Sequence, residues 1–173
     1  MHGTRLAYFI VTRVPITLMY KTYITWEDIV SDVERLSLLL LKTDFTCIVG
    51  VANGGMIPAT LLAKSLKINK LYSCNCKSYQ NDEPRSGAHS NTDIVSMLTF
   101  PPEEELKHEN VLIVDDLVDT GLTFEKINQH ISTMEDVGWG TATLYTKPGS
   151  IVTPSYTVKQ FPEDEWIVFP WET

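Results

Sequence analysis

Patterns typical of strands and of helices alternate along this chain of 173 residues. The first helical pattern follows a capping residue, Thr25, and is formed by apolar residues three or four positions apart, namely Ile29, Val33, Leu36 and Leu40. Short apolar runs at 46–51 and 111–114 predict buried strands, and a turn and a helical segment follow each of them. Strands separated by helices form βαβ units, so the sequence predicts an α/β fold whose mostly parallel sheet is covered by helices on both faces.

The same patterns predict the remaining elements. Helices are predicted at about 25–42, 58–66 and 123–137. Strands are predicted at 46–51, 70–76, 94–99, 111–114, 141–146, 156–159 and 166–169. The polar segment 78–92 has no period and is expected to be a long loop.

Composition narrows the class of protein. The chain has 14 Lys and Arg against 22 Asp and Glu, a formal net charge of −8, and a nucleic-acid partner is not expected because binding to a phosphate backbone needs clustered cations. The hydrophobic fraction of 43% is typical of a globular protein and too high for disorder. No apolar run approaches the roughly 18 residues of a membrane span. Three cysteines are too few and odd in number for a secreted disulfide framework, which predicts a cytoplasmic location.

The strongest chemical signal is the segment 111–123, Val-Leu-Ile-Val-Asp-Asp-Leu-Val-Asp-Thr-Gly-Leu-Thr. A hydrophobic strand places Asp115 and Asp116 at its carboxyl end, where open α/β sheets bind ligands. The turn at Thr120 and Gly121 opens a helix, and such a turn directs backbone N–H groups, hydroxyls and the helix dipole at one phosphate. Carboxylates would repel a phosphate but suit sugar hydroxyls or Mg²⁺. The segment therefore predicts a site for a phosphorylated sugar.

Three other interpretations compete for this segment. A strand that ends in Asp-Asp is also typical of a Walker B element, but the sequence contains no GxxxxGK[ST] motif. Asp-Asp also opens phospho-receiver domains, yet Asp115 lies too late in the chain for the rest of such a domain to follow. In the third interpretation the acids are merely solvated, which leaves the turn spacing of Thr120, Gly121 and Thr123 unexplained.

The segment 111–123 resembles the motif by which type I phosphoribosyltransferases bind 5-phosphoribosyl 1-pyrophosphate (PRPP). From about Tyr20 to Thr173 the chain is similar to the bacterial xanthine-guanine (6-oxopurine) phosphoribosyltransferases. The matching pieces lie in the family's order: Tyr23-Ile-Thr-Trp-Glu27, Gly54-Gly55, Ser78-Tyr79 with Arg85, Lys147-Pro148, and Trp166-Ile167 followed by Pro170-Trp171. The resemblance implies the type I phosphoribosyltransferase fold, a mostly parallel core sheet flanked by helices with a small C-terminal hood.

The resemblance assigns a role to each matched residue. Asp115 and Asp116 would face the ribose hydroxyls and the cofactor Mg²⁺, with Asp116 favoured as the metal ligand, and Asp119 would lie near purine N7 as the general base. The 5′-phosphate would bind the loop formed by Leu117, Val118, Asp119, Thr120, Gly121, Leu122 and Thr123. The pyrophosphate would bind Asn53, Gly54, Gly55 and Arg85.

The implied reaction is a purine salvage transfer. The 5-phosphoribosyl group of PRPP would move to guanine, xanthine or hypoxanthine, giving the nucleoside 5′-monophosphate and pyrophosphate. The ammonium of Lys147 only donates hydrogen bonds, so it suits the exocyclic oxygen of a 6-oxopurine rather than the amino group of adenine. The resemblance also implies that Trp166 stacks on the purine and that Ile167 contributes backbone contacts. On sequence alone, a Trp166 that plugs the edge of the core is an equally weighted alternative.

The sequence departs from the family pattern in two places. Asn53 precedes the two glycines where the family carries Arg, so a neutral amide replaces a forked cation that contacts pyrophosphate. Pyrophosphate binding is therefore expected to rely on Arg85, on backbone N–H groups and on Mg²⁺. The family often has a cis peptide bond in this turn, which we expect at Asn53–Gly54. In addition, residues 1–18 precede a single domain at 19–173 and are either an added strand or an extension from an upstream start codon.

Other functions remain as alternatives. Some proteins with this fold are regulators that bind PRPP or nucleotides without catalysis, but the sequence shows no winged-helix segment or basic stripe. A phosphoribosyltransferase for another base is the nearer alternative, disfavoured by Lys147 and Trp166. The resemblance also implies a homo-oligomer, a dimer or tetramer, and a loop at 78–92 that closes over the reactants and excludes water.

Overall fold

The computed structural model of the protein describes residues 20–79 and 95–172. Arg85, residues 1–18 and most of the predicted loop at 78–92 lie outside the described residues. The predictions made for them stay predictions.

A six-stranded sheet forms the centre of the protein. In chain order its strands are β2 (Cys47–Val51), β3 (Lys70–Tyr79), β4 (Val95–Thr99), β5 (Asn110–Val118), β6 (Gly138–Thr146) and β7 (Tyr156–Gln160). The spatial order is β4-β3-β2-β5-β6-β7, and every neighbouring pair is parallel except β3 with β4. A separate pair of parallel strands, β1 (Tyr20–Tyr23) and β8 (Glu165–Val168), forms the hood. The predicted mostly parallel sheet is confirmed.

Helices cover both faces of this sheet. They are α1 (Trp26–Leu40), α2 (Met56–Leu66), the short α3 (Glu103–Leu106) and α4 (Leu122–Ile131). Successive side chains of a strand point to opposite faces. Accordingly, Leu112 and Val114 of β5 belong to the buried cluster that contains residues of α1 and α2, whereas Val111 and Ile113 belong to the cluster that contains residues of α4. Residues 111–114 of β5 are therefore all apolar, because both faces of this part of the sheet are buried.

The predicted start of the first helix is confirmed in detail. Thr25 and Asp28 form a reciprocal capping box, in which the Thr25 hydroxyl accepts the Asp28 backbone N–H at 3.1 Å and the Asp28 carboxylate accepts the Thr25 backbone N–H at 3.0 Å. The helix ends at Leu40, two residues before the predicted end.

Several element boundaries differ from the predicted ones. β5 continues through both aspartates to Val118, because it keeps pairing with β6 up to Thr146. α4 ends at Ile131 rather than near 137, where the hydroxyls of Ser132 and Thr133 donate to carbonyl oxygens three residues earlier and compete with the helical bonds. β3 extends through residues 78 and 79, which were predicted to belong to the loop. β1 and α3 were not predicted.

Two predictions concern the thiols and membrane-spanning helices. Cys47, Cys74 and Cys76 are free thiols, and the first two are buried. None of the helices in residues 20–79 and 95–172 combines the length and apolar character that a bilayer crossing requires.

Candidate active site

The turn after β2 and the aspartates of β5 form one surface at the carboxyl edge of the sheet. The two strands are parallel neighbours, so their carboxyl ends lie side by side. A Cβ atom added to Gly54 would lie 1.9 Å from Oδ2 of Asp116, and one added to Gly55 would lie 2.7 Å from the Cα of Asp115. A side chain at Gly55 would meet backbone, and one at Gly54 would displace the Asp116 carboxylate. The structure thus brings the predicted pyrophosphate turn against the predicted ribose and metal ligands.

The turn itself contains a cis peptide bond. The cis bond is Ala52–Asn53, so the expectation of a cis bond at Asn53–Gly54 was wrong by one residue. The Ala52 N–H donates to the Cys74 carbonyl of the neighbouring strand at 2.7 Å, and the Asn53 carbonyl accepts the Met56 N–H at 3.2 Å. The side chain of Asn53 is exposed at this edge.

The two adjacent aspartates are held by the backbone and withdrawn from water. Oδ1 of Asp115 accepts the Asp116 N–H at 2.9 Å, and Oδ1 of Asp116 accepts the Leu117 N–H at 2.8 Å. Burial raises the pKa of the Asp115 carboxyl well above its usual range, and the neighbouring Asp116 raises that pKa further. Burial also raises the pKa of Asp116. A cation or hydroxyl donors at this point would stabilise the ionised pair.

The donor set of this pair fits Mg²⁺. Each carboxylate has one oxygen that the backbone bonds above do not engage, and Mg²⁺ usually takes one or two carboxylates together with substrate phosphates and water. Within the described ranges, no three side chains of metal-ligating type are grouped closely enough to hold a metal ion. The protein would thus supply part of a coordination sphere that a phosphorylated substrate completes.

The loop between β5 and α4, for which phosphate binding is predicted, surrounds a small cavity. A cavity of about 100 Å³ at the start of α4 is lined by Asp115, Leu117, Val118, Asp119, Thr120, Gly121, Thr123 and Phe124. Leu122 does not line this cavity. The cavity lies at the amino end of the ten-residue helix α4, and the amino end of a helix favours anions.

Residues 150 and 151 pack tightly against the loop between β5 and α4, here called the phosphate loop. Gly121 has a φ of 84°, in the left-handed region, and a Cβ there would lie 2.5 Å from Oγ of Ser150. The Ile151 N–H donates to the Thr120 carbonyl at 2.9 Å. These contacts fix the conformation of the phosphate loop.

Lys147 and Asp119 meet beside this loop. Nζ of Lys147 lies 3.5 Å from Oδ1 of Asp119 and donates to the Glu163 carbonyl oxygen at 3.3 Å. The Lys147 side chain is only 7% exposed, whereas that of Asp119 is 54% exposed. The Lys147 N–H donates to the Val118 carbonyl at 3.0 Å, which extends the pairing of β5 with β6 by one residue. A buried cation and an accessible carboxylate thus face the same space.

The hood places Trp166 and Ile167 on β8. Trp166 is 52% exposed, so the interpretation in which it plugs the edge of the core is wrong, and its ring is free to stack on a ligand. The Ile167 side chain is buried, and its backbone pairs with Thr22 of β1.

Sequence reasoning missed the residues that connect the hood to Lys147. The Glu163 carboxylate accepts the Gly149 N–H at 3.1 Å, while the Glu163 carbonyl accepts Nζ of Lys147. Glu163 is exposed, follows Pro162 and begins the acidic run Glu163-Asp164-Glu165, so no sequence signal distinguishes it from a solvated turn residue. Its contacts arise only because two distant turns meet.

The chain is similar to known proteins along most of its length. The family model described as "Phosphoribosyl transferase domain" matches residues 19–173. A relative named xanthine-guanine phosphoribosyltransferase, from Nitratidesulfovibrio vulgaris (strain DP4), is 32% identical over 151 residues, which covers 87% of this chain and 83% of the relative. A relative of the same name from Gluconobacter oxydans (strain 621H) is 30% identical over 161 residues, covering 92% and 88%.

Solved structures show the same similarity in three dimensions. A purine phosphoribosyltransferase from Pyrococcus horikoshii matches with a TM-score of 0.75 and 32% identity, covering 88% of this chain and 95% of that chain. The Helicobacter pylori xanthine-guanine-hypoxanthine phosphoribosyltransferase also matches with a TM-score of 0.75, but at 22% identity it supports the fold alone.

Proposed function

Since the chain belongs to the phosphoribosyltransferase family, we propose that it transfers the 5-phosphoribosyl group of PRPP to a 6-oxopurine base. The products are the purine nucleoside 5′-monophosphate and pyrophosphate, as in purine salvage. The observation that carries this proposal is the Lys147–Asp119 pair, whose Nζ and Oδ1 atoms lie 3.5 Å apart next to the cavity at the start of α4. The names of the relatives support the same reaction.

The pair suits one edge of a 6-oxopurine. O6 and N7 lie side by side on that edge of the base. The Lys147 ammonium donates to O6, and the Asp119 carboxylate accepts a proton from N7. Adenine would present an amino group to the ammonium, leaving two donors facing each other. Trp166, half-exposed on the hood, supplies a stacking surface for the base.

The loop and the aspartates bind the other substrate. The backbone from Leu117 to Thr123 holds the 5′-phosphate, and Asp115 and Asp116 accept hydrogen bonds from the ribose hydroxyls. Asp116, together with Asp115, is also the proposed ligand of Mg²⁺. When bound, Mg²⁺ neutralises much of the negative charge on the pyrophosphate leaving group.

The residues of this chain then have two tasks in the transfer. They hold the base and PRPP in line so that the bond from ribose C1 to the pyrophosphate oxygen breaks as the bond to the purine nitrogen forms. The electron pair of the broken bond leaves with pyrophosphate, and C1 passes through an oxocarbenium-like state without an enzyme nucleophile. Asp119 takes the proton that the base loses, a task worth typically about 10² to 10⁴ in rate.

Pyrophosphate binding is the part of the site that differs from the family pattern. Asn53 offers a neutral amide, and the Gly54 and Gly55 backbone lies directly on the aspartates. Arg85, outside the described residues, remains the proposed cation for this group.

We further propose that residues 19–173 act as one domain and that the protein is a dimer or tetramer. We also propose that it works in the cytoplasm, where its free thiols would stay reduced.

A four-base assay tests the proposal. Purified protein is incubated with PRPP, Mg²⁺ and guanine, xanthine, hypoxanthine or adenine, and nucleotide and pyrophosphate are quantified. We expect product from one or more 6-oxopurines and none from adenine. Lys147→Gln should lose the activity. Lys159→Gln, which removes a cation that lies over the ring of Phe161, should retain it. Product from adenine alone would overturn the role of Lys147, and PRPP binding without product from any base would favour the regulator.

A further inference from the structure

A buried hydroxyl and a buried carboxylate join β6 to α1 at a point outside the active site. The Tyr145 hydroxyl donates to Oδ2 of Asp32 at 2.9 Å, and the two residues are 1% and 8% exposed. Burial raises the pKa of Tyr145, and the hydrogen bond to Asp32 raises it further, so the hydroxyl keeps its proton and remains the donor. A phenylalanine would fill the same space without a polar atom that needs a partner. Hydrophobic packing therefore does not account for the hydroxyl.

The ring of Tyr145 belongs to a column of five aromatic side chains. The column consists of Phe161, Tyr145, Phe169, Trp171 and Trp26. Tyr145 meets Phe161 edge-on at 5.1 Å between ring centroids and stacks on Phe169 at 5.8 Å and an interplanar angle of 18°. Phe169 stacks on Trp171 at 4.6 Å, and Trp171 contacts Trp26 at 5.8 Å. The column runs from β6 through the hood to the start of α1.

Tyr145 touches the chain on both sides of the proposed purine-binding strand. Phe161 precedes β8 and Phe169 follows it, and both contact the same ring. Lys147 lies two residues beyond Tyr145, on a backbone that continues the strand ladder through the bond from Lys147 N–H to the Val118 carbonyl. Residues two apart in a strand share a face. One ring thus lies two residues before Lys147 and contacts the residues on both sides of the strand that carries Trp166.

We propose that Tyr145, held by Asp32, is a positioning residue that sets the spacing between Lys147 and Trp166 for the purine. This inference rests on the proposed function. Aromatic pairs are favourable over a range of centroid separations, about 4.5 to 7 Å, so stacking alone allows the rings some sliding. A hydrogen bond at the far end of the Tyr145 ring restricts that sliding, because the bond weakens steeply when its angle departs from linear. Tyr145 is the register partner of Leu117 in the proposed phosphate site, but that pairing is made by the backbone and does not use the hydroxyl. The side chains that contact the Tyr145 ring flank β8, so loss of the hydroxyl should affect the base more than PRPP.

Four variants test the positioning role. Tyr145→Phe and Asp32→Ala each remove the hydrogen bond, whereas Asp32→Asn keeps an oxygen that accepts it. Tyr156→Phe is the matched control, since Tyr156 contacts Phe45 edge-on at 6.2 Å and lies outside the column. The measurements are the KM values for guanine and for PRPP, the Kd of guanosine 5′-monophosphate by calorimetry, and the melting temperature. The nucleotide titration tests the base contact independently of turnover.

We expect the variants to change the KM for guanine but not the KM for PRPP. Loss of a net hydrogen bond should raise the guanine KM and the nucleotide Kd by about fivefold in Tyr145→Phe and Asp32→Ala, with the PRPP KM unchanged. Asp32→Asn and Tyr156→Phe should resemble the wild type. A lower melting temperature with an unchanged guanine KM, or equal increases in both KM values, would overturn the positioning role alone. A wild-type protein that binds neither PRPP nor the nucleotide would instead overturn the proposed function.

Discussion

Replacing Gly54 by alanine tests whether the turn after β2 and Asp116 form a single site. The new Cβ would lie 1.9 Å from Oδ2 of Asp116 and 2.7 Å from its Cγ, whereas real Cβ atoms essentially never approach another heavy atom closer than 3.0 Å. The carboxylate therefore has to move by roughly 1 Å, and the 2.8 Å bond that it accepts from the Leu117 N–H has to lengthen or break.

The size of the expected loss in kcat/KM follows from this displacement of the Asp116 carboxylate. A misplacement of about 1 Å in a group that orients a substrate costs on the order of 10² in rate. This factor corresponds to about 2.7 kcal/mol of transition-state stabilisation. We expect kcat/KM for PRPP to fall by about 10²-fold in Gly54→Ala, measured as initial rates of nucleotide formation with guanine at saturation.

A matched control distinguishes an effect on the site from a general loss of stability. In Gly140→Ala the new Cβ would lie 2.7 Å from the ring of Phe45, near the opposite end of β6 from Lys147. This variant should melt at a lower temperature and keep kcat/KM close to that of the wild type. A folded Gly54→Ala protein with wild-type kcat/KM would refute the reasoning, because Asp116 would then have moved without consequence.

Three further predictions concern the base, the metal and the thiols. Asp119→Asn should lower kcat by about 10² to 10⁴ and leave the Kd of PRPP by calorimetry unchanged, and near-normal turnover would contradict the general-base role. With Asn53 in place of a cation, PRPP affinity should depend strongly on Mg²⁺ concentration and less strongly in Asn53→Arg, and metal-independent binding by the wild type would contradict this. Burial raises the pKa of Cys74 to about 12 and that of Cys47 to about 11, so a thiol reagent at about pH 8 should modify them only after unfolding. Above about pH 9 the unfolded chain loses thiol protons that the folded chain keeps, so the free energy of unfolding should fall as pH rises, measured by denaturant titration.

Local patterns made much of the fold predictable. The capping box at Thr25, the apolar period of α1 and the buried run of β5 each depend on residues close together in the chain, and the structure confirms all three. The strand ends were predicted less well, because β5 extends as far as its partner β6 allows rather than as far as its apolar residues run. The short strand β1 was missed because its pairing partner, β8, lies at the other end of the chain.

The chemistry of the site was similarly divided between sequence and structure. The sequence by itself determined the alternation of the main strands and helices and the residue types of the segment 111–123, because both depend on neighbouring residues. Only the tertiary structure decided that Gly54 lies on Asp116, that Lys147 reaches Asp119, and that Tyr145 bonds to Asp32 across 113 positions of the chain. Such contacts depend on which strands lie side by side in the sheet and on how closely their side chains pack. A local sequence pattern predicts neither of these.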